Sequence, residues 1–172
     1  AGGLADVDRP GVRVDRVDYT KGIPERLAAL DVLMTLRPEL RGRVTFVQIG
    51  VPSRSALESY AVVEADIAQK VADLNVRHAV PGGAPLVKLS TSALGAFSLT
   101  ALYRLARFCV VSSLHDGMNL VAKEFVAARD DERGVLVLSA MAGAAQELQE
   151  ALIMNPYDVD AFALALSRAV DM

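Results

Sequence analysis

Two cations, Arg16 and Lys21, stand in the segment Asp15-Arg16-Val17-Asp18-Tyr19-Thr20-Lys21-Gly22, just ahead of a stretch that reads as a helix. Basic side chains beside a helix amino end suit a phosphate or a sugar-nucleotide diphosphate, because a departing phosphate needs its growing negative charge stabilised. The plainer alternative is a solvated turn in which Arg16 pairs with Asp15 or Asp18. A second cluster is Ser112-Ser113-Leu114-His115-Asp116-Gly117-Met118-Asn119-Leu120, followed by Lys123 and Glu124. Free backbone N–H groups at Met118, Asn119 and Leu120 would cradle a diphosphate. Asp116 is placed to accept hydrogen bonds from sugar hydroxyls, and Glu124, further along the same helix, from a ribose. Equally, Asp116 could cap the helix and Glu124 could pair with Lys123 or Arg129. Arg54, in Gly50-Val51-Pro52-Ser53-Arg54, either reaches a phosphorylated substrate or lies on a helix surface. The small residues of Ala140-Met141-Ala142-Gly143-Ala144-Ala145 suit a close approach of ligand to backbone and tight helix packing alike.

Other chemistries lack their parts. The sequence holds no P-loop, no GxGxxG, no HExxH and no G-x-S-x-G elbow. His78 and His115 are the only histidines, so no His-rich metal site is expected. His115 beside Asp116 is thin support for a general base, and His78 reads as a surface or capping residue. Cys109, the lone cysteine, lies in Phe108-Cys109-Val110-Val111 and reads as a small buried hydrophobe rather than a nucleophile. Of the 172 residues, 52% are hydrophobic and 23% charged, which excludes a disordered chain, a coiled coil and a disulfide scaffold. A net charge of -3 gives no basic footprint for nucleic acid, and 5% aromatics without tryptophan leave no base-stacking platform. No apolar run is long enough for a membrane span. The opening Ala1-Gly2-Gly3 leads into Asp6, Asp8 and Arg9, without the apolar core of a signal peptide and without Met. A cytoplasmic protein with further sequence upstream is the expectation.

The elements that must position these residues alternate along the chain. Residues 12–17 read as a short strand, and Pro24 stands where a first helical residue would, with Leu27, Leu30, Leu33 and Leu36 as the apolar stripe. Residues 44–49 are a strand of branched apolar side chains. Ser53 or Ser55 would cap a long helix running to about residue 74, before the break at Pro81-Gly82-Gly83. Strands are expected over 86–89, 108–112 and 135–138, and helices over 99–106, 118–128, 144–152 and 159–170, the last capped by Asp158. Strands without polar alternation are buried on both faces, which predicts one Rossmann-like, doubly wound α/β domain with a parallel sheet over residues 1–172. Ligands of such sheets sit at the carboxyl ends of the strands, where the loops described above fall.

The motifs taken together resemble a known family. They are Asp15-Arg16-Val17-Asp18-Tyr19-Thr20-Lys21-Gly22-Ile23-Pro24-Glu25-Arg26, Phe46-Val47-Gln48-Ile49 with Pro52-Ser53-Arg54, and His115-Asp116-Gly117-Met118-Asn119-Leu120-Val121-Ala122-Lys123-Glu124-Phe125. Val135-Leu136-Val137-Leu138-Ser139 and Leu152-Ile153-Met154-Asn155-Pro156-Tyr157 complete the set. In order and spacing they resemble the trehalose-6-phosphate synthases, retaining glycosyltransferases of family 20 with a two-domain GT-B fold. The resemblance implies that this chain is the carboxyl-terminal, donor-binding part. It also implies transfer of glucose from UDP-glucose to glucose 6-phosphate, giving α,α-trehalose 6-phosphate.

By the same resemblance, Arg16 and Lys21 hold the donor diphosphate and stabilise the departing UDP, and Asp116 holds the donor glucose hydroxyls. Met118, Asn119 and Leu120 supply the backbone cradle, Glu124 the ribose contact, and Arg54 the contact to the acceptor phosphate. No metal and no cofactor are implied, and retention follows from front-face attack with no carboxylate nucleophile. The family's amino-terminal acceptor domain has no counterpart in these residues, so an exposed cleft face and self-association into a homo-oligomer are expected. Two local departures bear on the base site: residues 85–97 lack the polar, aromatic-containing loop of the family, and Arg107 replaces an acid. A related enzyme with another phosphorylated acceptor, such as glycerol 3-phosphate, and a non-catalytic nucleotide-sugar-binding module are the competing expectations.

Overall fold

A computed structural model describes residues 8–16, 18–51, 58–91, 94–131 and 133–172. Six strands carry the fold: β1 (Arg9–Arg16), β2 (Val44–Val51), β3 (Val87–Ser90), β4 (Phe108–Val111), β5 (Val135–Ser139) and β6 (Leu152–Met154). Five α-helices connect or flank them: α1 (Ile23–Leu36), α2 (Glu58–Arg77), α3 (Ala96–Leu105), α4 (Leu120–Ala128) and α5 (Val159–Asp171). All pairings are parallel and the spatial order is β3-β2-β1-β4-β5-β6, so the doubly wound α/β expectation is borne out.

Burial explains the apolar strands. Phe108, Cys109, Val110 and Val111 are all fully buried because helices cover both faces of the sheet. On one face α1, α2 and α5 enclose a core that includes Leu30, Leu33, Phe46, Phe108, Phe162 and Leu166. On the other, α3 and α4 enclose Val12, Tyr103, Cys109, Phe125 and Leu138. Each such fully buried Leu or Phe contributes about 1.5–3 kcal/mol of apolar transfer free energy. Gly11 is required by this packing: a Cβ there would sit 2.3 Å from the Phe108 ring. Pro24 occupies the first turn of α1 as expected, and Asp158 caps α5 by accepting from the Ala161 N–H.

Two helices differ from expectation. The helix expected over 118–128 starts only at Leu120, because Asn119 takes the left-handed conformation, φ 77°, which no helix continues through. The helix expected over 144–152 is absent. The amino end of that segment is docked on the loop at residues 116–118, Gly143 N–H donating to Asp116 O at 2.9 Å and Ala144 N–H to Met118 O at 2.7 Å. The segment is a short 3-10 turn, Gly143–Gln146, and Leu152–Met154 is taken by β5 as a sixth strand, which no helix over 144–152 could supply. His78 is a further correction: it is buried, with Nε2 against Asp31 Oδ1 at 2.6 Å, instead of lying on the surface. Ser53 and Ser55, the expected caps of α2, lie outside the described residues.

Candidate functional site

The chain leaves β1 for β2 and β3 on one side, then returns to place β4, β5 and β6 on the other. The carboxyl ends of β1 and β4 are therefore where the winding reverses, the place at which such sheets bind ligands. A crevice of about 500 Å³ opens there, lined by Arg13, Val14, Asp15, Lys21, Asp116, Met118, Asn119, Leu120 and Val121. Lys21, Asp116, Met118, Asn119 and Leu120, distant in sequence, are thus brought to one site.

Local structure fixes Lys21. Asp18 accepts from Thr20 N–H and Oγ1 and so caps the 3-10 turn Tyr19–Lys21. Gly22 then reverses the chain at φ 60°, so close to β4 that a Cβ would lie 2.1 Å from Ser112 O. Only glycine fits both the angle and the gap. Lys21 Nζ consequently reaches Asp116 Oδ2 at 2.8 Å, with side-chain exposures of 16% and 17%, and the pair closes the crevice from both central strands. Burial pushes the Asp116 carboxyl up, but hydrogen bonds from Lys21 and Asn119 outweigh it and hold the group below the ordinary value.

Asn119 organises the α4 side. Its Oδ1 accepts from Ala122 N–H at 3.1 Å, capping α4, while Nδ2 donates to Asp116 Oδ2 at 3.0 Å and faces Ser113 Oγ at 3.3 Å. The helix cap is therefore Asn119, and Asp116 is not it. The backbone N–H groups of Asn119 and Leu120 donate to no acceptor among the described residues, and Met118 N–H has only a 3.4 Å contact with Asp116 Oδ1. All three residues line the crevice.

Other expected residues fall elsewhere. Glu124 is exposed and outside the crevice lining, and its Oε2 accepts from the buried Tyr103 hydroxyl at 3.4 Å. It pairs with neither Lys123 nor Arg129: Lys123 binds Glu147, and Arg129 binds Asp131 and the carbonyls of Tyr103, Arg104, Ala106 and Arg133. The Arg16 side chain and all of Arg54 lie outside the described residues. His115 is exposed, with no hydrogen bond or ion pair to a described residue. Cys109 is fully buried, and that burial pushes its thiol up to about 12. Among the described residues no group of three or more His, Cys, Asp or Glu could hold a metal ion, and no helix is long and apolar enough to cross a membrane.

Sequence reasoning missed the layer beneath. Asp15 pairs with two arginines of the described residues. It is buried between Arg13, whose Nε donates to Oδ1 at 2.6 Å, and Arg26, whose Nη2 donates to Oδ2 at 3.0 Å. Arg26 also donates to Ser112 Oγ at 2.8 Å, to Lys21 O at 3.0 Å and to Gln48 Oε1, tying α1 to β2 and β4. Burial raises the Asp15 carboxyl, yet the two guanidinium charges outweigh it and leave it below the usual range. Burial, reinforced by the Arg13 cation, brings Arg26 down to about 10. A signal was available: Arg26 follows Ile23 by three and precedes Leu30 by four, on the apolar stripe of α1.

Anionic ligands are favoured where cations and helix amino ends meet at the switch point of a doubly wound sheet. The profile of glycosyltransferase family 20 matches residues 11–172, and the chain belongs to that family. It is 43% identical over 162 residues to a trehalose-6-phosphate synthase of Sinorhizobium fredii, covering 94% of this chain and 35% of the relative. A crystal structure of an α,α-trehalose-phosphate synthase (UDP-forming) from Burkholderia xenovorans, in complex with glucose-6-phosphate, is similar at TM-score 0.93 and 40% identity. That match covers 98% of this chain and 37% of the other. A structure from E. coli bound with UDP-2-fluoro glucose matches at TM-score 0.92 and 38% identity, over 98% of this chain and 37% of that one. The chain spans about a third of the length of these relatives.

Proposed function

We propose that residues 1–172 form the donor-binding part of a glucosyltransferase that uses UDP-glucose and glucose 6-phosphate and forms α,α-trehalose 6-phosphate. The observation that carries this reading is the crevice at the switch point, where Lys21, Asp116 and residues 118–120 converge in a chain of glycosyltransferase family 20. The relatives support the substrates: one was solved with glucose-6-phosphate and another with UDP-2-fluoro glucose.

In this mechanism the bond between the anomeric carbon of glucose and the UDP oxygen breaks, and the same carbon bonds to the hydroxyl oxygen of the acceptor. The acceptor proton passes to the departing phosphate oxygen, on the face from which UDP leaves, so configuration is retained. Lys21 and Arg16 stabilise the charge that grows on the diphosphate, and the N–H groups of Met118, Asn119 and Leu120 cradle it. Donor binding takes Lys21 as a partner for phosphate, which frees Asp116 to accept from glucose hydroxyls. Glu124 binds the ribose, steadied by Tyr103, and Arg54 meets the acceptor phosphate. An amino-terminal domain supplies the acceptor pocket, and the protein is cytoplasmic.

Calorimetric titration of the chain with UDP-glucose, with GDP-glucose and ADP-glucose as comparators, tests this. Saturable binding is expected, weakened by about tenfold or more in Lys21→Ala, the loss of one charge-assisted contact. A folded chain that binds none of the three overturns the reading.

A further inference from the structure

Beneath the crevice the charges do not balance. β1 pairs with β4 only at Gly11↔Phe108 and Val12↔Cys109, while it stays paired with β2 as far as Arg16↔Val51. The notch between the central strands therefore opens at Arg13, which lines the crevice and is 1% exposed. Arg13 and Arg26 share the single carboxylate of Asp15, and no other carboxylate among the described residues lies within ion-pair distance of either. Lys21 is cancelled by Asp116. Two buried cations on one buried anion leave a positive charge without a counter-ion, a costly arrangement for which a bound anion would compensate. Loss of a proton is no remedy, because a guanidinium stays charged at neutral pH.

Arg13 also keeps donors in reserve. Its Nε and Nη2 are both spent on Asp15, and Nη1 reaches Asn119 Oδ1 at a long 3.5 Å. Each terminal nitrogen retains a second N–H with no acceptor among the described residues. The contact with Asn119 ties this surplus charge to the residue that caps α4, at the end of the crevice where the free N–H groups lie.

We propose that Arg13 is a further anion-binding residue of this crevice, which supplies the uncompensated charge to the diphosphate of the bound donor and sets the affinity for that group. The proposal rests on the donor-site reading above and extends it to a side chain that the family motif does not assign. The competing account is that Arg13 is a structural clamp between Asp15 and Asn119. Charge separates the two, since a clamp needs the hydrogen bonds alone.

The test is calorimetric titration of the chain with inorganic pyrophosphate and, separately, with UDP-glucose, at several salt concentrations. Wild type is compared with Arg13→Gln, Arg13→Met and Arg13→Lys, each checked for folding by circular dichroism. Both neutral variants leave Asp15 and Arg26 as a balanced pair, so at least one is expected to fold. They should bind pyrophosphate about tenfold to a hundredfold more weakly, with a shallower salt dependence, while Arg13→Lys keeps most of the affinity. If neither neutral variant folds, the Arg13 Nε–H resonance of wild type, assigned by its loss in Arg13→Lys, decides: pyrophosphate must shift it. Unchanged affinity in a folded neutral variant, or an unmoved resonance, overturns the proposal while UDP-glucose binding by wild type keeps the donor-site reading intact. Pyrophosphate binding that depends on Arg13, without UDP-glucose binding, supports the proposal and overturns the donor-site reading. A wild type that binds neither overturns both.

Discussion

Replacing Asp15 by Asn should destabilise the protein far more than the loss of its hydrogen bonds alone would. Asp15 is the only carboxylate among the described residues paired with Arg13 and Arg26, and the side chains of that cluster are 1% exposed or less. Asn is nearly isosteric, so the cavity stays filled. What changes is charge: two buried guanidiniums then face each other with no carboxylate between them. Breaking a buried ion pair in this way costs about 3–5 kcal/mol, against about 1 kcal/mol for a neutral hydrogen bond. For a chain of this length each kcal/mol moves the melting temperature by about 2–4 °C, so the expected drop is about 6–20 °C. A thermal melt followed by circular dichroism at neutral pH reads it directly. The double variant Asp15→Asn with Arg13→Met removes one of the two stranded cations and should recover part of the loss. A single variant that melts within about 4 °C of wild type would match the hydrogen-bond cost alone and refute the buried-charge reasoning.

Two further outcomes follow from the geometry. The Asp116 carboxyl lies below its ordinary value of 3.8 in the folded state, so the stability it adds is present above that value and lost as pH falls through the folded-state value. The difference in melting temperature between wild type and Asp116→Asn should therefore be flat near neutrality and shrink on acidification below about pH 4; a difference that widens on acidification contradicts the pairing with Lys21. Gly22→Ala should lower stability by more than about 1–2 kcal/mol, the cost of the left-handed conformation, because the new Cβ also meets Ser112 O at 2.1 Å. Urea unfolding measures it, and an unchanged midpoint would show that the turn is not held against β4.

Local sequence information determined the architecture because its signals are local. The unbroken apolar runs that became β4 and the start of β5 state that both faces of the sheet are covered, and Pro24 and Asp158 mark the starts of α1 and α5. The crevice residues Lys21, Asp116, Met118, Asn119 and Leu120 were legible too, since glycine turns, cations and helix starts fall at strand ends wherever the strands are right. Tertiary structure decided what depends on partners far away in the chain. Leu152–Met154 pairs with β5 as a sixth strand, which takes the end of a helix that the composition of residues 144–152 favours. Strand alternation and the packing of α1 deliver Asp15 to Arg13 and Arg26, and only the tertiary structure brings Arg26 to it. Lys21 and Asp116 meet across 95 residues only because β1 and β4 are neighbours at the point where the sheet reverses its winding. Propensity and periodicity act over a few residues, whereas which charge neutralises which is settled by where the sheet sets its strands side by side.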